Sequence, residues 1–450
     1  MGINILTVAS TVPRYLDKLT NLLLSNLDFT RATDRNYLHN FHSFPAKFPP
    51  ELPRAFITTL TNTNENVLDP MVGSGTTILE AYLLGRRSIG FDIDPLALLI
   101  SRVKTSCPDA DKLFEAGTDV LKSAHTAITK SRDSLLDVLQ CKWDEKTKAF
   151  IDYWFLSQTQ LELVALLIEI ERVTDPEIKD FLVLTFSSII ITKSGGVSLA
   201  MDLGHTRPHK VPTISDDAKR SDNIRCKRVR SALKDFEKKF NANLNVLRAC
   251  EKYKKDIRPQ IHYSYAQELP LRKDSVDLVV TSPPYASNAI DYMRAHKFSL
   301  VWLGYTIPEL SKIRAEYIGA HNIKDIGTAL PRFSQSIISN VAKVDENKSK
   351  VLYSYFIDMK LVLREMFRVL KPGKAAVLVV GDSMIRGRNT HTAECLAEIG
   401  QAEGFAVPAI GKRNIDRNHR MMPTGNEVDL SSNVQNRMHE EQVIGFYKPC

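Results

Sequence analysis

The chain has 450 residues, 43% hydrophobic and 25% charged, which describes a folded globular protein with enough apolar material for two or three cores. The formal net charge is +8, and no apolar run approaches the roughly 20 residues that cross a bilayer, so a membrane-embedded chain is excluded. No basic stretch followed by an apolar segment and a cleavage site opens the sequence, and a cytoplasmic location is expected.

In chain order, strand-like and helix-like segments alternate in two blocks. The first reads as a strand over 66–69, a glycine turn, a helix near 76–84, a strand over 88–92 and a helix over 95–103. Residues 110–260 then show helical periodicity, as in Leu161, Val164, Ala165 and Ile168, with little strand pattern. Within them, the apolar run 181–191 is interrupted by Thr185, Ser187 and Ser188, and reads as a buried helix or strand. The second block has a strand over 276–281, a long connection, a helix near 356–370, a strand over 375–381 and a helix near 391–403. It closes with a strand pair near 405–410 and 442–447. Apolar strands alternating with amphipathic helices predict an α/β protein with a doubly wound, mostly parallel sheet and a large, mainly helical insertion. The expected division is 1–109, 110–260 and 261–450.

The positive charge is concentrated. Residues 205–260 hold 16 Lys or Arg against 7 Asp or Glu, which suits a polyanion through phosphate neutralisation, although a solvated helical face gives the same composition. The six cysteines form no C-x-x-C pair and have no histidine at zinc-ligand spacing, so reduced thiols are expected and no metal.

The stretch "NVLDPMVGSGTTILEAYLLGRRSIGFDIDP" carries a ligand-binding pattern. Asp69 and Pro70 end a strand, Gly73 and Gly75 lie in the turn, Thr76 opens the helix, and Asp92 ends the next strand. Glycines there let the backbone approach a ligand at the carboxyl edge of the sheet, and Asp92 is placed to accept from ribose hydroxyls. A pyrophosphate would meet the Asp69 carboxylate, and Ile78 occupies the third glycine position of G-x-G-x-x-G. No lysine follows the glycines as in a P-loop. S-adenosyl-L-methionine, with an ammonium, a sulfonium and no phosphate, satisfies these constraints.

A second pattern is "VVTSPPYASNAIDYMRAHK", residues 279–297, in which a buried strand breaks into Ser282, Pro283, Pro284 and Tyr285. Prolines fix φ and withdraw donors, leaving a rigid corner. Together, the D-P-x-x-G-S-G-T-T and S-P-P-Y motifs resemble those of the DNA amino-methyltransferases, with a Rossmann-like methyltransferase fold. The resemblance extends to "HNFHSFPAKFPPELPRAFI" (39–57), similar to the segment that covers the methionine end of the cofactor in that family and bringing Phe44 and Lys47 into the expected cofactor site. It also includes "MFRVLKPGKAAVLVVGDS" (366–383) and "EEQVIGFYKP" (440–449), and about 260 residues in all.

The resemblance implies site-specific methyl transfer to double-stranded DNA at a base turned out of the helix, and raises a companion restriction endonuclease as a partner. Ser before the prolines usually accompanies cytosine-N4 methylation, whereas Asp or Asn accompanies adenine-N6. Ser282 and the Pro283 carbonyl would accept the two amine N–H groups, and Tyr285 would stack on the base. Adenine-N6 methylation, guanine-N2 methylation of RNA and a silent nucleic-acid-binding protein remain alternatives. Carbon-5 methylation requires a cysteine nucleophile, and the one Pro-Cys pair is Pro449-Cys450.

Three departures stand out: Met71 replaces the family's Phe; Tyr265 replaces an Asp that binds the adenine amine, which turns attention to Gln267, Glu268 or a backbone group; and about 155 residues separate the motifs. For reading DNA, Arg207, His209 and Lys210 in "GHTRPHK" are the first candidates, and Asp291, Arg294 and His296 the second. His39 and His42 read as structural residues.

Overall fold

The computed structural model describes residues 14–29, 37–44, 47–192, 195–200, 203, 229–286, 291–320, 329–415 and 440–450. The helices are α1 (Tyr15–Leu23), α2 (Glu51–Leu60), α3 (Thr76–Leu83), α4 (Pro95–Thr105), α5 (Ala110–Lys130), α6 (Arg132–Cys141), α7 (Glu145–Trp154), α8 (Ser157–Glu171), α9 (Pro176–Ile190), α10 (Ala232–Cys250), α11 (Tyr292–Leu300), α12 (Ile307–Ala315), α13 (Arg332–Ala342), α14 (Glu346–Val369) and α15 (Thr392–Ala402). The strands are β1 (Asn66–Asp69), β2 (Arg87–Asp92), β3 (Gln260–Tyr263), β4 (Val276–Thr281), β5 (Leu370–Val380), the short β6 (Met384–Ile385) and β7 (Arg388–Asn389), β8 (Ile410–Asn414) and β9 (Glu440–Tyr447).

Seven strands form one sheet in the order β3-β2-β1-β4-β5-β9-β8, while β6 and β7 pair as a separate hairpin. The pairings from β3 through β5 are parallel, and β9 runs antiparallel to both β5 and β8. This is the doubly wound, mostly parallel arrangement expected from the alternating blocks, with the Rossmann-like order of methyltransferases.

Alternation along each central strand supplies both cores. Val67, Leu278, Val280, Ala375 and Val377 pack against Leu19 and Leu23 of α1 and Leu52, Phe56 and Ile57 of α2. The residues between them, Leu68, Val279, Ala376 and Leu378, face α14 and α15 through Phe356, Leu363 and Leu396. A third core joins helices α5 to α10 with Leu96 and Ile100 of α4 and with Phe298 and Trp302 at α11 and just beyond. Hence 181–191 is mainly helix: α9 starts at Pro176, where Asp175 caps it, and ends at Ile190. No described helix is long and apolar enough to cross a membrane.

Some boundaries differ from the sequence expectations. The helix expected near 356–370 begins ten residues earlier, because Asp345 caps it through the Lys348 N–H. The strand expected from 375 starts at Leu370. Residues 405–410 make only the isolated Ala406–Tyr447 bridge, and the strand itself occupies Ile410–Asn414, where pairing with β9 becomes continuous.

Candidate active site

Three adjacent strands, β2, β1 and β4, end together at the carboxyl edge of the sheet, with Asp69 opposite Gly90 and Leu68 opposite both Ile89 and Val279. That places Asp92, Asp69 and Thr281 side by side. The Thr281 hydroxyl donates to Asp69 Oδ1 at 2.6 Å, and the Met71 N–H donates to the same oxygen at 3.2 Å. One side-chain bond therefore fastens the end of the S-P-P-Y strand to the glycine turn, although 212 residues separate its ends. Burial pushes the Asp69 carboxyl up to about 7, against the pull of Thr281 and Met71.

The glycine turn is shaped by its neighbours. Gly73 has φ +46° and Gly75 has φ +74°, both in the left-handed region. The Gly73 N–H donates to Asp92 Oδ2 at 2.9 Å, and the buried Lys104 ammonium donates to the Ser74 carbonyl at 2.5 Å. Pro70 and Thr76 are buried at the two ends of the turn, with Thr76 at the first position of α3. A Cβ on Gly75 would lie 2.6 Å from Ser101 Oγ and 3.1 Å from Ser101 Cα. Gly75→Ala is expected to lower the unfolding free energy by about 2–4 kcal/mol, combining left-handed strain with overpacking. Gly387→Ala, at φ +77° with open space around its Cβ, is the control and loses only the backbone part. Equal urea midpoints for the two variants would show that Ser101 moves aside.

Asp92 is partly exposed, and its Oδ1 accepts from the Asp94 N–H at 2.9 Å. Burial and the adjacent Asp94 charge raise its carboxyl to about 6. Phe44 lies over the turn, its ring tip 3.4 Å from where a Gly73 Cβ would stand. Its centroid is 5.5 Å from Tyr292 and 5.2 Å from His296. Lys47 donates to the His39 carbonyl at 3.0 Å and to Asn40 Oδ1 at 3.2 Å, so its ammonium ties down the covering segment. Nearby, His39 pairs with buried Glu80 at 2.8 Å and His42 contacts Ser187 Oγ at 2.9 Å. Burial lowers His42 to about 3, which keeps it neutral.

Beyond β4, Ser282 and Pro284 are half-buried and Pro283 is buried. Tyr285 donates its hydroxyl to Glu441 Oε1 at 2.5 Å, and Glu441 is itself paired with Arg413. Burial and the Glu441 charge raise the phenol well above its ordinary value. The corner is thus anchored from β9 at the tip of Tyr285, while the half-buried ring borders the edge.

The other candidates divide. Arg294 is exposed on α11, and Asp291 caps that helix and pairs with Arg314 at 2.6 Å. Arg207, His209 and Lys210 lie outside the described residues. Tyr265 donates to Glu316 at 2.6 Å, whereas Glu268 is exposed. His296 is buried and bonded to Asp94, which the motifs did not indicate. A D-P pair announces Asp94 as a helix cap, but its contacts with α11 and Tyr317 carry no local signature. Glu441, near the opposite end of the chain from Asp94, was likewise invisible.

A family model described as DNA methylase matches residues 17–102, the segment from α1 through the glycine turn and into α4. The chain is 23% identical over 410 residues to the type II methyltransferase M.MvaI of Kocuria varians, covering 85% of this chain and 86% of that protein. It is 24% identical over 405 residues to M.BsoBI of Geobacillus stearothermophilus, covering 79% and 75%. Over 85 residues it is 36% identical to M.MjaII of Methanocaldococcus jannaschii, covering 19% and 16%.

These matches support a DNA amino-methyltransferase family for the chain. Its cofactor is S-adenosylmethionine, and the residues of the edge fit that molecule. Two neighbouring carboxylates, raised to about 7 and about 6 mainly by burial, gain from a cationic ligand and would repel a phosphate. The paired strand ends hold the glycine turn and the S-P-P-Y corner on one edge.

Proposed function

We propose that the chain is a site-specific methyltransferase acting on the exocyclic N4 amine of cytosine in double-stranded DNA, by direct transfer to a base flipped out of the helix. The observation that carries this reading is Ser282, the first residue after a strand whose end is bonded to the cofactor turn through Thr281 and Asp69. The amine of cytosine is a weak nucleophile because its lone pair is delocalised into the ring. Accepting its N–H groups at the Ser282 hydroxyl and the Pro283 carbonyl favours a pyramidal nitrogen with its lone pair free to attack. The bound cofactor supplies an electrophilic methyl group on a sulfonium. Tyr285, fixed at its hydroxyl by Glu441, offers a ring face to the extruded base.

In this reading Phe44, Asp69, Pro70, Gly73, Gly75, Thr76 and Asp92 line the cofactor, and Lys47 holds the cover in place. Residues 1–109 and 261–450 build the catalytic core, and residues 110–260 read the target, with Arg207 and Lys210 on DNA and Arg294 approaching from α11. The names of the type II relatives support a role beside a companion restriction endonuclease.

The test is incubation with unmethylated genomic DNA and tritiated S-adenosylmethionine, followed by digestion to nucleosides. Label is expected in N4-methyldeoxycytidine. Label in N6-methyldeoxyadenosine would keep the corner's role and overturn the base, and label in transfer RNA with none in DNA would overturn the polymer.

A further inference from the structure

Asp94 stands two residues beyond Asp92 and is 5% exposed. Its Oδ1 accepts from the Leu96 and Ala97 N–H groups at 2.8 and 3.3 Å, the ordinary cap of α4. Its Oδ2 accepts from His296 Nδ1 at 2.5 Å and from the Tyr317 hydroxyl at 2.7 Å. Burial opposes ionisation of Asp94, but His296 and Tyr317 outweigh it and hold the carboxyl below its usual range. A carboxylate at this distance selects the imidazole tautomer with the proton on Nδ1.

In the neutral ring Nε2 is then the acceptor. His296 is 2% exposed, and its Nε2 has no hydrogen-bond partner among the described residues. Buried polar atoms are rarely left in this condition. The ring is 5.2 Å from Phe44 and 6.2 Å from Tyr292, and Phe44 covers Gly73, whose N–H is held by Asp92. The His296 ring therefore packs against Phe44, beside the edge that carries Gly73 and Asp92. The donors that S-adenosylmethionine offers are its ammonium, its adenine amine and its ribose hydroxyls. Of these, the hydroxyls fall beside Asp92 in the reading of this edge, and Asp92 holds the N–H of the Gly73 that Phe44 covers.

We infer that His296, oriented by Asp94, accepts a hydrogen bond at Nε2 from a ribose hydroxyl of the cofactor. The inference rests on the reading of this edge as the cofactor site and adds a residue from the far side of the S-P-P-Y corner to it. It also couples the corner to cofactor binding, since α11 begins seven residues after Tyr285.

The test is calorimetry with S-adenosylhomocysteine and its 2′-deoxy and 3′-deoxy forms. His296→Asn keeps an N–H donor for Asp94 and removes the acceptor. The wild-type protein is expected to bind one deoxy form roughly tenfold more weakly than the parent. His296→Asn is expected to bind the parent roughly tenfold more weakly and to lose that discrimination. Because discrimination is a ratio within one variant, a general loosening of the site does not reproduce it. Parent affinity equal to wild type, or weaker affinity with the discrimination intact, overturns the inference. Imidazole 15N shifts of the wild-type protein give a second reading that needs no variant: Nε2 is expected to move with the parent and not with the form lacking the bonded hydroxyl. Equal movement with all three ligands overturns the inference, and no binding of the parent by wild type overturns the cofactor reading with it.

Discussion

Ser282→Ala is expected to slow methyl transfer to DNA by about 10²- to 10³-fold, the loss typical of removing one preorganised polar contact to the reacting group. Cofactor affinity, measured by calorimetry, is expected to stay at the wild-type value. The two readings separate because Ser282 lies past the end of β4, while the cofactor turn is held by Asp69, Asp92 and Lys104. Thr281, which bridges the two through its hydroxyl, is untouched by the substitution. A fall in kcat with unchanged KM for DNA marks an interaction made at the reacting nitrogen. Turnover within a few-fold of wild type would remove Ser282 from the chemistry and leave the corner a structural turn.

Asp92→Ala is expected to have the reverse signature, weakening S-adenosylmethionine by roughly 100-fold through the loss of a charge-assisted bond from the ribose hydroxyl that His296 does not take. Unaltered affinity would mean that the ribose lies elsewhere. The same carboxylates give binding a pH dependence. Asp69 rises to about 7 and Asp92 to about 6 in the unliganded protein, both mainly through burial. A cation favours the ionised forms, so affinity for S-adenosylmethionine is expected to rise as pH increases from about 5 to about 8 and then level off. Stability of the unliganded protein runs the other way. Each folded-state value lies above the ordinary 3.8, so this contribution is fully present below about 4 and is lost as pH rises through about 6 and about 7. The thermal shift produced by S-adenosylmethionine is therefore expected to be larger at pH 8 than at pH 5.5. Equal shifts would show that the two acids do not face the cation.

The parts of the fold that were legible share a local cause. β1, β2 and β4 are short apolar runs bounded by glycine, proline or acidic residues, and their limits could be read almost to the residue. The glycine turn and the S-P-P-Y corner are contiguous motifs, and both stand at the edge that their flanking strands require. β3 was harder, because its "QIHY" is exposed at the sheet margin and has no buried alternation. The start of α14 was missed because the turn preceding it is polar, and only the Asp345 side chain marks the boundary. Long-range contacts were invisible for a different reason. Tyr285 and Glu441 are 156 residues apart, and His296 and Asp94 are 202 apart. Nothing in the periodicity of either segment encodes its partner, and only the folded sheet brings them together.

The strand order has a consequence for synthesis. β1 borders β2, made about twenty residues later, and β4, which starts 210 residues after β1 begins. At roughly 5–20 residues per second, that edge of β1 waits about 10–40 s on the ribosome for its neighbour. In that interval Val67 and Leu68 offer unpaired backbone, and the Asn66 amide and side chain lack the Asp277 and Ser275 acceptors that they bind in the finished sheet. The helical insertion is synthesised before the sheet can close, but its core still lacks Phe298 and Trp302, which follow β4. The nascent chain thus carries an open strand edge through almost half of its elongation, the condition in which an intermediate most needs a chaperone's cover.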